Sequence, residues 1–147
     1  MINTDVSTTL KINKPAQKVF EAIISPVEIG HYWFSSSSER WGEGKRITLK
    51  YDEYQAEGVI TVLEMEANKK IVFAWGEEHG EVTMVTITLE ESQSETIIKV
   101  VESGLNAHDP EIVAKMMGQK EGWVYTLTCL KGYLENGISS LRASLIH

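Results

Sequence analysis

The order of segments limits the fold of this chain more than any single motif. One strand is followed by two short helices and a run of strands, and the last third holds one long amphipathic helix that opens into Gly122-Trp123. Short strands joined by tight turns pair antiparallel, and such a sheet buries one face. The long helix has one apolar stripe and needs that face. The two short helices then cover an open end, which gives a two-layer α+β domain. A sheet curled around a single helix leaves a space between the two, and that space is the expected site of action.

The elements follow from local pattern. Val6, Thr8, Leu10 and Ile12 alternate with polar residues, the period of a half-buried strand. Asn13-Lys14-Pro15 stops it, and Pro15 suits the first position of a helix whose inward face is Ala16, Val19, Phe20 and Ile23. Ser25-Pro26-Val27-Glu28 reads as a restart, with Ser25 as cap, Pro26 first and Glu28 closing a capping box. This second helix ends near Trp33-Phe34, and Ser35 to Glu39 is a loop. From Trp41 the chain is strand and turn. Ile47, Leu49 and Tyr51 mark one strand; Val59, Thr61, Leu63 and Met65 alternate with Ile60, Val62 and Glu64 in the next. Ala67-Asn68-Lys69 is a hairpin turn, Ile71, Phe73 and Trp75 a strand, and Gly76 to Gly80 a turn. Val85, Ile87 and Leu89 precede a polar turn at Glu91 to Ser94, and Ile97, Ile98, Val100 and Val101 form the last strand. Asp109 is the expected N-cap of the final helix, with Pro110 first. Its stripe is Val113, Met116, Met117, Trp123, Val124, Leu127, Leu130 and Leu134, and Gly137 suits a left-handed C-cap. Ile138 to His147 reads equally as more helix or as a frayed end.

Composition removes several function classes. The net charge of -7, with no cluster of Lys and Arg, argues against nucleic acid and anionic membranes as partners. No apolar run is long enough to span a bilayer, and Met1 to Ile12 lacks the pattern of a signal peptide. A single cysteine, Cys129, excludes an internal disulfide and a cysteine-rich zinc site, and fits a cytoplasmic protein. The histidines are His31, His79, His108 and His147; none pairs with another at helical spacing, so neither metal nor cofactor is expected. His79 and His108 read as turn residues and His31 as surface. Neither GxSxG nor a phosphate loop occurs, and Cys129 sits mid-helix among apolar residues, so no catalytic residue is assigned.

Several stretches, taken in order, resemble one family across nearly the whole chain: KPAQKVFEAIISP after the opening strand, Trp33-Phe34, WGEGKRITL, EGVITVLEMEANKKIVFAW, the pair VTMVTITLEE and ETIIKVVESGL, and EGWVYTLTCLKGYLE. Together they are similar to the START-like (SRPBCC, helix-grip) superfamily, which includes birch-pollen-allergen-like proteins and bacterial polyketide cyclases. Within it the chain most resembles the group named for homology to the activator of the heat-shock protein 90 ATPase. The resemblance implies a single START-like domain over residues 1–147, with a curved antiparallel sheet wrapped around a long C-terminal helix. It also implies a cavity between them.

The candidate pocket residues are Trp33, Trp41, Tyr51, Phe73, Trp75, Met84, Met116, Met117 and Trp123, which either line the cavity or fill the core. Glu102 ends a strand whose face carries Thr96, Ile98 and Val100. If that face is inward, a carboxyl sits at the edge of the apolar space, where burial favours its neutral form; otherwise it is a solvated strand end. Lys120 lies near the helix stripe and either anchors an acidic ligand or packs its stem with the ammonium in water. Non-catalytic binding of a small hydrophobic or aromatic molecule ranks first. Regulation of a chaperone ATPase of the heat-shock protein 90 type, or binding of a stress-response partner, ranks second. A polyketide cyclase or dehydratase ranks third, because only Glu102 offers clear chemistry. The oligomeric expectation is a monomer or homodimer.

Overall fold

Seven strands pair antiparallel throughout in a computed structural model that describes residues 3–76 and 81–146; His79, His147 and all but Gly76 of the turn assigned to Gly76 to Gly80 lie outside these. The strands are β1 (Val6–Ile12), β2 (Ser36–Ser37), β3 (Arg46–Tyr51), β4 (Ala56–Glu66), β5 (Lys70–Trp75), β6 (Thr83–Ser92) and β7 (Glu95–Ser103), in the spatial order β1-β7-β6-β5-β4-β3-β2. The helices are α1 (Ala16–Ile24), α2 (Pro26–Ile29) and α3 (Ile112–Asn136). The first strand therefore pairs with the last, Val6 opposite Glu102 and Ile12 opposite Thr96. This is the helix-grip fold: a curved sheet around α3, with α1 and α2 packed at one end.

Side-chain alternation sets the inner face. Thr83, Val85, Ile87 and Leu89 of β6 and Thr96, Ile98, Val100 and Glu102 of β7 are all buried, as period two requires. In β4 the alternation breaks. Ile60 and Val62 point inward, the register with β5 shifts between Val62 and Glu64, and Met65 packs against the core while Leu63 is exposed. A bulge at this point changes which parity faces the core.

The start of α2 is as expected, with Ser25 at the N-cap and Pro26 first, but the capping contacts there and the starts of α1 and α3 differ from the sequence expectation. Pro15 is the N-cap of α1 rather than its first residue, and Glu91 at the far end of β6 accepts a 2.6 Å hydrogen bond from the Ala16 N–H. Ser25 makes no side-chain cap on α2, and Glu28 closes no capping box but accepts the Tyr133 hydroxyl at 2.7 Å. Asp109 is not the N-cap of α3: it shapes the preceding turn, where Oδ1 accepts the Glu111 N–H, and the helix begins at Ile112. The buried side of α3 is Ile112, Trp123, Leu127, Cys129 and Leu130, whereas Val113, Met117 and Val124 are exposed. Gly137 ends the helix in the left-handed region as expected.

The β6–β7 hairpin closes tightly, with Ser92 opposite Glu95 and both intervening residues, Gln93 and Ser94, at positive φ. A two-residue turn of this kind prefers Asn-Gly, and non-glycine residues there are strained. The double substitution Gln93→Asn and Ser94→Gly is therefore expected to stabilise the fold by about 1 kcal/mol, read as a raised midpoint in thermal melting.

Candidate functional site

The space between the sheet and α3 is a cavity of about 430 Å³. Its walls are mainly aromatic. Trp33 and Phe34, in the turn after α2, lie 4.8 Å apart between ring centroids; Trp33 meets Trp123 of α3 at 5.5 Å, and Phe34 meets Trp75 of β5 at 5.6 Å and Tyr51 of β3 at 4.7 Å. The chain places these rings because Tyr51 and Trp75 fall at the ends of inward-facing strands, while the Trp33 N–H hydrogen-bonds the Ile29 carbonyl and fixes the turn. Offset and tilted ring contacts of this kind add to simple area burial.

One wall is polar. Glu102, at the end of β7, is 2% exposed and borders the cavity. Its Oε1 accepts the Trp123 Nε1–H at 2.8 Å and the Gln119 amide at 2.9 Å, and its Oε2 accepts the Thr83 hydroxyl at 2.6 Å. Strands β6 and β7 and helix α3 thus meet at one carboxyl group. Tyr51 adds a phenol whose pKa burial pushes up to about 12, so it remains protonated at neutral pH. Among the described residues no Ser, Cys, His, Lys or Arg lines the cavity. Cys129 is buried, and desolvation raises the pKa of its thiol, which disfavours the reactive thiolate.

The segment after α3 is neither helix nor frayed end; it folds back over the cavity. Ala143 and Leu145 line the cavity, the Tyr54 hydroxyl donates to the Leu145 carbonyl at 3.1 Å, and the Tyr125 hydroxyl donates to the Leu141 carbonyl at 2.5 Å. Arg142 fastens it: Nε donates to the Trp33 carbonyl at 2.8 Å, both terminal nitrogens engage Glu53, and the guanidinium lies 5.6 Å over the Tyr51 ring. The Arg142 hydrogen bond is the main cause holding the Glu53 carboxyl at about 2, below its ordinary value of 4.5. A carboxylate with a depressed folded-state pKa contributes its full stabilisation above the ordinary value and loses it as pH falls through the folded one. Docking of the tail is therefore expected to weaken between about pH 4.5 and 2, read by amide hydrogen exchange at residues 138–146. Arg142→Ala is expected to raise exchange there at neutral pH while leaving the strands protected. Unchanged exchange in both cases would mean that other contacts hold the tail.

The structure brings together Trp33, Tyr51, Trp75, Glu102 and Trp123 of the candidates named from sequence. It does not bring the others to this cavity, although Met116, Met117 and Lys120 border a separate surface pocket with Val6. Trp41 and Phe73 are fully buried in the core, their rings edge to face at 5.3 Å. Met84 is on the outer face of β6, 45% exposed, because it alternates with inward Thr83 and Val85. Met116 packs in a separate small cluster with Val6, Leu105 and Ile112, and Met117 is 67% exposed. Lys120 is exposed and donates to the Ser7 carbonyl, which covers part of the free edge of β1. His31 is exposed and stacks on Tyr133 at 4.8 Å, and His108 sits in a turn. Sequence reasoning missed Phe34, Gln119, Thr126 and the tail. Gln119 stands three residues after Met116 and four before Trp123, a spacing as good as that of Lys120.

Comparison with known proteins gives a consistent set. Residues 13–135 match the family model described as "Activator of Hsp90 ATPase homolog 1-like protein". A crystal structure of a Staphylococcus saprophyticus protein is 44% identical, with a TM-score of 0.80 over 92% of this chain and 94% of that one. The solution structure of the Aha1 dimer from Colwellia psychrerythraea is 18% identical, TM-score 0.80, over 93% of this chain and 98% of the other. DynU16, from the dynemicin biosynthetic locus, is 22% identical, TM-score 0.81, over 95% of this chain and 50% of that one. At these last two identities the likeness is one of fold. A comparison with curated proteins found no match. Among the described residues no helix is long and apolar enough to cross a membrane.

Proposed function

We propose that this chain, which belongs to the family of activator of Hsp90 ATPase homolog 1-like proteins, binds a small hydrophobic or aromatic molecule in the cavity between its sheet and α3. The observation that carries the reading is the cavity itself: about 430 Å³, walled by aromatic rings and bordered by one buried carboxyl. That volume lies within the range of small-molecule sites, and apolar walls with few polar groups are their usual chemistry. The arrangement favours binding over turnover. Glu102 and Gln119 are engaged with each other, and no nucleophile paired with a base faces the space among the described residues. The cyclase reading draws only on the superfamily resemblance, which is one of fold.

Native mass spectrometry of the purified protein, followed by tryptophan-fluorescence titration with flat aromatic compounds, tests this reading. A co-purified small molecule or saturable quenching is expected. Trp75→Leu removes a wall ring and is expected to weaken binding about tenfold. An apo mass with no quenching by any compound would remove the basis of the proposal.

A second reading, regulation of a chaperone ATPase through a surface, draws on the family name and on Val113 and Met117, which stand 63% and 67% exposed on the outer side of α3. Pull-down with the chaperone from the same cell, lost on Val113→Lys with Met117→Lys, is the result it requires.

A further inference from the structure

Taking the cavity as a ligand site, we infer that its occupant is an aromatic amine bound as the ammonium cation. Glu102 is almost wholly buried, and the groups that reach it are neutral donors from Thr83, Gln119 and Trp123; among the described residues no Lys, Arg or His pairs with it. A buried carboxylate without a counter-charge is costly, and a ligand cation removes that cost. The chain's own cations nearby in the fold are held elsewhere, Arg142 by Glu53 and Lys120 by the Ser7 carbonyl.

The remaining chemistry of the walls agrees. Gln119 lines the cavity with its amide nitrogen committed to Glu102, which leaves its carbonyl as the group that can accept from a ligand. An ammonium there donates a charge-assisted hydrogen bond to the Gln119 carbonyl, with the Glu102 carboxylate one amide behind it. The rings of Trp33, Trp75 and Trp123 offer faces that attract cations. Glu57, exposed on the cavity lining, adds a second acidic group. An aromatic carboxylate meets the opposite situation: two acidic side chains and no lining cation among the described residues.

Naphthylmethylamine, naphthol and naphthoate share one ring system and are cation, neutral and anion at neutral pH, so titrating each against the whole chain, by tryptophan quenching and calorimetry, isolates the charge. The amine is expected to bind at least about tenfold more tightly than naphthol, with naphthoate weakest. Glu102→Gln keeps the shape and is expected to bring the amine down to the level of naphthol while changing naphthol little. Gln119→Leu is expected to narrow the same gap, and Glu57→Gln to narrow it least. Naphthol binding as tightly as the amine, or naphthoate binding best, would overturn the amine assignment and leave the cavity reading standing. Failure of all three to bind would overturn both.

Discussion

Trp33→Ala is expected to lower the free energy of unfolding by about 3–5 kcal/mol and the melting temperature by about 10 °C or more. Trp33 is buried and touches Phe34, Trp41 and Trp123, with ring centroids 4.8, 6.2 and 5.5 Å away. It therefore joins the turn after α2, the core on the inner face of the sheet and helix α3. Its main chain also receives the tail, through Arg142. Truncation enlarges an existing cavity, which gives the surroundings little chance to collapse into the gap. Urea unfolding followed by circular dichroism measures the loss. A shift below about 1 kcal/mol would mean that the aromatic chain lines the space without holding it together.

The strands of this protein are readable because one face is buried and one is wet. Counting twos puts Glu102 on one face with Thr96, Ile98 and Val100 but leaves open whether that face is inward, and the structure buries all four. Counting failed where a local event resets the count. The bulge at Leu63 changes the inward parity of β4, and nothing in VITVLEME marks it, since Ile, Val and Leu suit either face. The helix failed differently. Met117, Val113 and Val124 make the apolar stripe wider than the sheet can cover, so hydrophobicity alone overstates what is buried. Nothing in the local pattern singles out Gln119 from the other polar residues of the helix. Its place is decided by a carboxyl that reaches it from β7, a contact no local pattern contains. The tail carries no period at all, and contacts distant in sequence fix it: Arg142 with Glu53, 89 positions away, and the hydroxyls of Tyr54 and Tyr125.

Glu102→Leu is expected to cost about 2–4 kcal/mol, whereas Glu102→Gln should cost about 1 kcal/mol or less. Leucine removes the acceptor and leaves the Trp123 N–H, the Gln119 amide and the Thr83 hydroxyl without their partner. Replacing a whole buried polar cluster by apolar residues is often neutral, but removing one member strands the others. Glutamine avoids this. Its carbonyl can accept from Trp123 and Gln119, and its amide can donate to the Thr83 oxygen, because a hydroxyl serves as donor or acceptor by rotating. A glutamine variant near the wild type with the leucine variant well below both is thus a signature of the network rather than of side-chain volume, which both variants roughly preserve. Thermal and urea unfolding of the three proteins measures it, with unchanged dependence on urea as evidence that the denatured state is the same. Equal losses for Gln and Leu would instead assign the stabilisation to the charge of Glu102. A leucine variant as stable as the wild type would mean that cavity water satisfies Trp123 and Thr83, and that the carboxyl is kept for what enters the cavity rather than for the fold.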